Sequence, residues 1–415
     1  MRILYVSQYF PPETCAPASR VYELSREWVR LGHDVTVLTA FANHPTGVKA
    51  PGDRWKLLRR EQLDGIDVQR TYIYAAPNRG RLRRMISYAS FMYSARWLGG
   101  RRVRDPKPDV VIATSPQLLC GLAGYRLARS MGVPFIFEVR DLWPESLLAV
   151  GAMKENWLVR HLERVARRLY DGADRIVTVG DGYRDRIHEL YGTPLEKMSV
   201  VTNGVDAELF RPGERDNEIR RELGWGDRFV VLYLGTHGMA HALDKVLEAA
   251  RELAGHNEIL FAFVGEGARK DELKRLASEW RLPNVQFIDV QPRERVPAFY
   301  AACDLGLVTL RNAPLFQEVL PSKIFEYLGM ERPVLLSVDG QARRLVEEAG
   351  AGEFVRPEDV PAMVEAVLRL SGDRERLAEM GRSGRRHVLD HYDRRALAGR
   401  YLGLLSEIAE GGLSG

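Results

Sequence analysis

The chain alternates strand-like and helix-like segments along most of its length, and this alternation constrains its fold more than any other feature. Arg2–Ser7 contains a continuous apolar run, which is typical of strands buried on both faces of a parallel sheet. A loop, a helical pattern ending at Gly32 and a second strand at His33–Ala40 follow, and together they form a βαβ unit. The pattern recurs from Asp109 and from Arg228. The sequence therefore predicts two open, doubly wound α/β sheets.

The length of the chain, 415 residues, exceeds what one hydrophobic core usually supports and suits two domains. Residues 203–226 are polar and turn-rich, a composition that indicates a linker. The predicted organisation is an N-terminal Rossmann-like domain at 1–202 and a C-terminal Rossmann-like domain at 227–390, on either side of this linker. No strand pattern occurs after Pro361, and we expect a last helix within 391–415 to pack back on the first domain.

The composition is that of an ordinary globular protein, with 45% hydrophobic residues, 28% charged residues and a net charge of +4. The three cysteines are far apart and odd in number, which disfavours a disulfide scaffold or a zinc site. The N-terminus lacks the apolar region of a signal peptide, and the longest uncharged run, Val110–Tyr125, is too short to span a bilayer. We therefore expect a cytoplasmic protein without a transmembrane helix.

Two glutamates flank a predicted helix start in the C-terminal half. Glu318 and Glu326 lie eight positions apart in the segment FQEVLPSKIFEYLGMERPVLL, which ends in a strand-like run. The helix is expected to begin near Pro321 or Ser322, because proline suits the first helical turn. Free backbone amides at a helix start form an anion site, which the helix dipole strengthens. The amides expected at this position belong to Ser322, Lys323 and Ile324.

The order of carboxylate, amides and carboxylate suits a ligand that carries a sugar, a phosphate and a ribose in a row. Glu318 precedes the helix and can face a sugar. Glu326 lies one turn inside the helix and can accept hydrogen bonds from two vicinal hydroxyls. The alternative is a pair of solvated glutamates on a surface loop and helix, and this segment alone leaves both interpretations open.

Taken together, the motifs resemble those of the family 4 retaining glycosyltransferases of GT-B fold. The glutamate pair is preceded by CDLGLVTL and followed by EYLGMERPVLL, while LSREWVRLGHDVTVLTA and KMSVVTNGVDAELFRP occur earlier in the chain. The segments VRDLWPES and PSKIFEYLG are similar to the subgroup that builds bacterial surface polysaccharides, including aminosugar transferases. The resemblance covers nearly the whole chain, and it implies two Rossmann-like domains that face each other across a cleft.

The resemblance also implies roles for particular residues. Glu318 would lie beside the hydroxyls of the donor sugar, and Glu326 would bind the ribose of the nucleotide. The amides around Pro321–Lys323 would hold the diphosphate, and backbone groups near Val290 would read the base. The reaction implied is a front-side attack in which the leaving phosphate takes the acceptor proton, so Glu318 would contact the sugar rather than attack it.

The loop after the predicted strand FVVLYL departs from the family pattern. Many relatives read G-R-L-x-x-x-K-G there, but in this chain Gly235 is followed by Thr236 and the lysine position holds His241. A hydroxyl and a group with a pKa of about 6.5 thus replace two permanent cations. Lys323 is the nearest candidate to neutralise the diphosphate, and a protonated His241 is the second. For His237 and His241 the alternative is a loop histidine without a ligand role.

Other candidates follow predicted strands, where ligands of open α/β sheets bind. Gly265 and Gly267 would let the backbone approach the nucleotide. Ala16 lies in a loop of small residues where relatives often carry two glycines, so close approach to the diphosphate is expected there too. Arg140 and Asp141 occupy a position where relatives often have His-Asp. Asp141 would take a substrate hydroxyl or orient Arg140, and a structural ion pair is the alternative.

The stretch Arg79–Arg104 holds eight arginines and no acidic residue, with an apolar and aromatic centre between them. The centre contains Met85, Ile86, Tyr88, Phe91, Met92 and Trp97. Such a segment suits the surface of an anionic membrane, where a lipid-linked acceptor would be held. A helix with a solvated basic face is the alternative, and nucleic acid is disfavoured because no binding module is recognisable.

No D-x-D triplet and no histidine or cysteine cluster occurs, so we expect neither a metal nor another cofactor. The residues and the resemblance together predict a glycosyltransferase at the inner face of the plasma membrane, and the resemblance implies that it is a retaining enzyme. It would move a sugar from a nucleoside diphosphate donor, with UDP favoured, to a lipid-linked or saccharide acceptor in cell-surface polysaccharide synthesis. Two alternatives stay open: a sugar-nucleotide 2-epimerase or hydrolase, and a non-catalytic sugar-nucleotide-binding protein.

Overall fold

The computed structural model describes residues 1–13, 15–43, 46–76, 81–149, 151 and 153–411, with the backbone alone at residues 81, 82 and 411. The chain divides into two compact units. The first comprises Met1–Thr202 together with Arg394–Gly415, and the second comprises Asn203–Asp393.

An eight-stranded sheet forms the centre of the first unit. Its strands are β1 (Arg2–Val6), β2 (Asp34–Ala40), β3 (Leu58–Leu63), β4 (Ile66–Thr71), β5 (Val110–Thr114), β6 (Phe135–Val139), β7 (Arg175–Thr178) and β8 (Met198–Val200). Their order across the sheet is β3-β4-β2-β1-β5-β6-β7-β8, and every neighbouring pair is parallel except β3 with β4. Strands β5 and β6 are buried along their whole length, as expected of parallel strands covered on both faces.

Within the residues that the structure describes, seven helices of the first unit connect these strands. They are α1 (Ala16–Arg30), α2 (Arg81–Ser94), α3 (Gly100–Arg102), α4 (Leu118–Met131), α5 (Glu145–Ala149), α6 (Trp157–Gly172) and α7 (Asp181–Tyr191), and a π-helical turn (Ala95–Gly99) joins α2 to α3. Helix α1 buries Val21, Leu24 and Trp28 against the sheet, because their spacing places them on one helix face. It ends just before Gly32, whose φ of 86° favours glycine.

The antiparallel pair of β3 and β4 was not predicted, although the sequence carries a signal for it. The turn between the strands is Asp64-Gly65, and both residues have positive φ, at 49° and 81°. Two-residue hairpin turns with positive φ at both positions favour Asp-Gly. This hairpin places an antiparallel edge strand beside an otherwise parallel sheet.

The second unit contains a six-stranded parallel sheet. Its strands are β9 (Phe229–Leu234), β10 (Ile259–Val264), β11 (Val285–Ile288), β12 (Leu305–Thr309), β13 (Val334–Ser337) and β14 (Gly352–Phe354), in the order β11-β10-β9-β12-β13-β14. Its helices are α8 (Glu218–Glu222), α9 (Leu243–Glu252), α10 (Lys270–Glu279), α11 (Val296–Ala302), α12 (Ser322–Gly329), α13 (Gln341–Glu348), α14 (Val360–Ser371) and α15 (Arg374–Tyr392). Each unit therefore has the predicted Rossmann-like α/β architecture.

The last helix, α16 (Arg394–Gly411), belongs to the first unit. Its Leu397, Tyr401 and Leu405 lie in the same hydrophobic core as β1 and α1, so the chain returns to the first domain as predicted. Residues 203–226, predicted as a linker, are part of the second unit. There the Trp225 side chain is fully buried and donates a hydrogen bond to Gln286, at 2.6 Å.

Candidate functional site

The second sheet has a switch point between β9 and β12. From β9 the chain continues to β10 on one side of the sheet, and from β12 it continues to β13 on the other side. The loops after β9 and β12 therefore diverge at the carboxyl ends of adjacent strands, where open α/β sheets bind their ligands. The predicted residues 235–241 follow β9, and residues 318–326 follow β12, so the fold brings both groups to one edge of this sheet.

Helix α12 begins at Ser322, as predicted, with Pro321 as its N-cap residue and no side-chain cap. The amide of Ile324 donates to the carbonyl of Pro321 at 3.1 Å, so Ile324 is not one of the free amides that we expected. The amides of Ser322 and Lys323 lie in the first helical turn, where helix geometry provides no intrahelical acceptor. These two remain suited to an anion.

The ammonium group of Lys323 is buried and has no hydrogen-bond partner among the described residues. It lies over the ring of Tyr233. It is also close to Gly235: a Cβ atom built on this glycine would be 2.9 Å from Nζ. Burial lowers the pKa of Lys323 to about 7, while the charge of Glu326 opposes this shift. A buried cation without an acceptor suits an anionic ligand.

His237 and His241 are neutral in the structure. Burial lowers the pKa of each to about 3, and the charge of Lys323 adds to both shifts. Their rings pack beside Tyr233, each with 5.9 Å between ring centres. In the free protein neither histidine is therefore expected to carry a charge at neutral pH, and the protonation of His241 by a bound phosphate stays a prediction.

Gly265 and Gly267 permit a close approach, but in the structure that approach is between two loops. A Cβ atom on Gly265 would lie 2.0 Å from the carbonyl oxygen of Gly235, and one on Gly267 would lie 2.4 Å from that of His237. Gly235 and Gly265 also have φ of 147° and 140°, which favour glycine. Gly265 and Gly267, in the loop after β10, therefore hold the loop after β9 in place. This role does not depend on any contact with a nucleotide.

The two glutamates are both half-buried, and each has a partner that the sequence analysis missed. Glu326 accepts a hydrogen bond from the hydroxyl of Tyr300 at 2.6 Å, and Glu318 accepts one from the amide of Gln341 at 3.3 Å. Gly340 packs directly on the backbone of Gln317 and so holds the start of α13 against the glutamate loop. These contacts orient the carboxylates, which is what hydroxyl recognition needs.

The other predicted residues of the second unit lie at its surface. Thr236 and Val290 are exposed, with Val290 located shortly after β11. The neighbouring cations Arg269 and Lys270 each form ion pairs with two carboxylates. Their charges are already compensated, which again distinguishes Lys323.

In the first unit, Asp141 follows β6 and its carboxylate is held by its own neighbours. The hydroxyl of Ser146 and the indole of Trp143 both donate to it, the indole at 3.2 Å. Burial raises the pKa of Asp141 to about 6. Within the described residues no ion pair joins Asp141 to Arg140, so Asp141 does not orient that guanidinium. A structural ion pair instead joins Glu138 to Arg20.

The remaining first-unit candidates lie at the carboxyl edge of this sheet. Ala16 is exposed and is the first residue of α1. The backbone amide of Arg140 donates to the hydroxyl of Ser115 at 2.7 Å, which fixes the end of β6. The guanidinium atoms Nε and Nη1 of Arg140 are buried without a hydrogen-bond partner among the described residues.

The predicted apolar centre of the basic stretch is divided between the core and the surface. Tyr88, Phe91 and Met92 are buried, so they stabilise the first unit and are not available to a membrane. Ile86 and Trp97 are exposed, at 44% and 58%, and Tyr93 is exposed as well. Arg79, at the start of the stretch, lies outside the described residues.

Two kinds of feature are missing from the described residues. No group of three or more His, Cys, Asp or Glu side chains is placed to hold a metal ion in this part of the chain. None of the described helices combines the length and apolar character needed to cross a bilayer.

Comparison with known proteins identifies both halves of the chain. The glycosyl transferase 4-like domain matches residues 16–204, and the glycosyl transferases group 1 domain matches residues 215–387. WcaI of Escherichia coli (strain K12), whose name assigns it to colanic acid biosynthesis as a glycosyl transferase, is 25% identical over 377 residues, covering 88% of this chain and 91% of WcaI. The GDP-mannose-dependent alpha-(1-6)-phosphatidylinositol monomannoside mannosyltransferase of Mycolicibacterium smegmatis is 30% identical over 256 residues, covering 60% of this chain and 67% of that protein.

Solved structures of glycosyltransferases share the fold. Sucrose-phosphate synthase from Thermosynechococcus elongatus has a TM-score of 0.79 at 16% identity, over 99% of each chain. Anabaena HepE, solved in complex with UDP and glucose, has a TM-score of 0.73 at 18% identity, over 98% of this chain and 100% of HepE. Together these matches show that the chain belongs to the family 4 glycosyltransferases of GT-B fold, in which a glycosyl transferase 4-like domain precedes a group 1 domain.

Proposed function

We propose that this glycosyltransferase takes its sugar from a nucleoside diphosphate donor, with uracil as the base. The observation that carries the donor class is the buried, unpartnered ammonium of Lys323 at the start of α12. A cation beside two free amides suits a diphosphate, and the carboxylates of Glu318 and Glu326 suit the hydroxyls of the sugar and the ribose. HepE, which has the same fold, was solved with UDP and glucose, and this supports a UDP-linked donor.

The proposed transfer retains the anomeric configuration, in line with the family resemblance. The bond between the sugar C1 and the phosphate oxygen breaks, and a bond between C1 and an acceptor oxygen forms on the same face. The acceptor proton passes to the leaving phosphate, so the balance requires no protein nucleophile. The protein would contribute positioning and charge stabilisation, with Lys323 opposite the charge that develops on the diphosphate.

The proposed acceptor is a saccharide or a lipid-linked sugar used in surface polysaccharide synthesis, and the sugar transferred is a hexose or an N-acetylated aminosugar. The relatives support this class, since one is named for colanic acid biosynthesis and another for a phosphatidylinositol mannoside. A lipid-linked acceptor would require the enzyme to work at a bilayer surface.

An exposed surface of the first unit suits such a bilayer. Ile86, Tyr93 and Trp97 are spaced by seven and four residues, which places exposed apolar side chains along one side of α2 and the turn after it. Exposed arginines precede and follow them in the chain, and Arg96 lies over the ring of Trp97 at 5.3 Å. The membrane face is defined here as Ile86, Tyr93, Trp97, Arg83, Arg101 and Arg102. Its charge is complementary to anionic lipid, which supports peripheral docking.

The test is a panel of sugar nucleotides, UDP- and GDP-linked and including N-acetylated aminosugars, incubated with the full chain with and without a bacterial membrane lipid extract. Nucleotide release that depends on the extract is expected. Release or conversion without an acceptor would favour a 2-epimerase or hydrolase. Binding without release under any condition would favour the non-catalytic alternative. The anomeric coupling constant of the isolated product, measured by NMR, checks retention.

A further inference from the structure

The first unit exposes a second apolar surface, in the segment that leads into β3. Residues 48–57, called here the edge loop, include Trp55 and Leu57, which are exposed at 86% and 57%. Seven of the fourteen large hydrophobic side chains that are exposed in the described residues lie between Val48 and Trp97. Single exposed apolar side chains are common in folded proteins, but a concentration of them marks a surface that contacts a partner.

The fold holds the edge loop in place. Asp53 is buried and accepts a hydrogen bond from the guanidinium of Arg59 in β3, at 2.6 Å. On the other side of Trp55, the carbonyl of Leu57 accepts a hydrogen bond from the amide of Tyr72 at 3.0 Å. The indole is therefore kept in solvent by a loop that is fixed at both ends, and a partner that covered it would remove apolar surface from water.

The edge loop lies at the carboxyl edge of the first sheet and beside α2. Strand β3 is antiparallel to β4, and Leu58 at its start pairs with Thr71 at the end of β4. The chain continues from β4 towards α2, where the amide of Tyr74 donates to the hydroxyl of Ser90 at 2.8 Å. Residues 72–74 thus contact both the edge loop and the helix that carries part of the membrane face.

The exposed charges of the edge loop are positive. Arg54 and Lys56 flank Trp55 and are exposed. The acid of the loop, Asp53, is buried and pairs with Lys56 and Arg59, and the loop, all of which is described, carries no exposed carboxylate. The guanidinium of Arg54 lies 5.4 Å from the centre of the Trp55 ring, and the arginine and tryptophan of the π-helical turn have the same arrangement. Tryptophan beside cations suits the headgroup boundary of an anionic bilayer, where the ring is partly buried and the cations meet lipid phosphate.

We propose that the edge loop enters an anionic bilayer together with the membrane face, so that the carboxyl edge of the first sheet faces the lipid. This inference rests on the proposed peripheral docking, and it adds a second anchor and an orientation. The first unit is assigned to the acceptor because the groups suited to the donor lie in the second unit. In this orientation an acceptor held in the bilayer would reach the first unit at the edge where open α/β sheets bind their ligands.

The contribution of the edge loop is measured by cosedimentation of the full chain with vesicles of phosphatidylcholine and phosphatidylglycerol in equal parts. Replacing Trp55 and Leu57 by serine should lower association at least about tenfold, because two apolar contacts with the lipid are lost. This fold-change should be similar at low and high salt, since salt does not screen apolar contacts. The loss caused by replacing Arg83, Arg101 and Arg102 by serine should instead shrink as the salt concentration is raised.

The orientation is measured by quenching of tryptophan fluorescence in vesicles whose acyl chains carry bromine. Trp55→Phe should remove a large part of the quenched fluorescence, because an indole in the bilayer interface lies close to the acyl chains. The matched control is Trp157→Phe. Trp157 is exposed at 75%, but it begins α6, between β6 and β7 in the half of the sheet away from β3. Its replacement should leave the quenching unchanged.

Three outcomes would overturn the inference. Unchanged association of the double serine variant removes the second anchor, and quenching that falls equally in Trp55→Phe and Trp157→Phe removes the orientation. A change of oligomeric state in the double serine variant without lipid, measured by sedimentation velocity, would assign the edge loop to a second copy of the chain. The arginine variant judges the proposed docking separately, since it leaves the edge loop intact. Thermal unfolding, and UDP-glucose binding that matches the wild type, show that each variant is folded.

Discussion

The ammonium group of Lys323 lies 3.7 Å from the centre of the Tyr233 ring, with the neutral rings of His237 and His241 packed around the same tyrosine. The face of an aromatic ring attracts a cation, but it does not replace a hydrogen-bond acceptor. Burial accordingly lowers the pKa of Lys323 to about 7, because the aromatic ring does not supply the hydrogen bonds that the ammonium group would make in water. Residues 235–241, in the loop after β9, include no arginine or lysine, so Lys323 is the candidate cation next to this loop.

Donor binding should therefore take up a proton. A diphosphate favours charged Lys323, so the free protein must regain a proton before binding when the pH exceeds about 7. The affinity for a UDP-sugar should be nearly constant below pH 6 and should weaken by about tenfold between pH 6 and pH 8. Calorimetry in buffers of different ionisation enthalpy measures the affinity and the proton uptake together. A flat profile over this range would contradict the assignment.

Lys323→Arg is the matched variant for this prediction. Arginine stays protonated at every pH in the experiment, so the pH dependence should disappear even if the affinity changes. Lys323→Met should remove the pH dependence and weaken binding throughout the range. A pH profile that persists in Lys323→Arg would assign the titration to another group.

Glu326 should contribute to donor affinity through the ribose. Glu326→Gln should weaken UDP-sugar binding by about 2 kcal/mol, or about thirtyfold in Kd, because a hydrogen bond to a charged acceptor is lost. The loss should shrink by about half when the donor carries 2′-deoxyuridine, because one of the two hydroxyls that Glu326 would bind is then absent. Tyr300→Phe, which removes only the hydroxyl that contacts Glu326, should cost less than Glu326→Gln. Equal losses with the ribose and deoxyribose donors would remove the ribose assignment.

The membrane face should bind anionic vesicles in a salt-dependent manner. Each arginine near such a surface contributes about 1 kcal/mol, so replacing Arg83, Arg101 and Arg102 by serine should lower vesicle association at least about tenfold at low salt. Trp97→Ser should lower it further. The matched control replaces three exposed arginines of the second unit, Arg275, Arg344 and Arg356, by serine. Cosedimentation that falls equally in both triple variants would indicate a net-charge effect and not a docking face.

Tyr401 connects α16 to the first core, since its ring packs edge-on against Trp28 with 5.4 Å between centres. Tyr401→Ala should destabilise the first unit by about 4 kcal/mol, because a large buried aromatic group is lost. Tyr401→Phe should be neutral or stabilising by up to about 1 kcal/mol, because the tyrosine hydroxyl is buried without a partner among the described residues. Denaturant unfolding measures the free energy of unfolding. Hydrogen exchange of the β1 amides distinguishes unfolding of the first unit from unfolding of the second. A marked loss in Tyr401→Phe would show that this hydroxyl is bonded.

The fold was predictable because its signals are local. The signals are apolar runs, the glycine at position 32 and the proline before α12. Each depends on only a few neighbouring residues, and the structure has the expected strand or helix boundary at these positions. The hairpin at Asp64-Gly65 was equally visible as a turn signal. It was missed because its strands, LRREQL and IDVQRT, are half-polar, so they lack the apolar run that identified the central strands.

The candidate site was predictable only in part, because its chemistry depends on contacts across the sheet. The order of the strands, which the sequence does not state, brings Tyr300 to Glu326 and Tyr233 to Lys323. Burial of the His241 ring nitrogen lowers the pKa of this histidine, whereas its sequence position suggested a charged loop residue. Residue types can suggest a ligand class, but the burial that sets the charge of each group is known only from the folded chain.

The position of α16 has a consequence for synthesis of the protein on the ribosome. The N-terminal unit emerges first, yet the helix that covers Trp28 emerges only after the whole second unit, which is continuous in the chain. A premature stop codon that deletes only this helix should therefore spare the half of the enzyme assigned to the donor. It would leave the earlier-made half with an exposed apolar surface, open to chaperones and proteases.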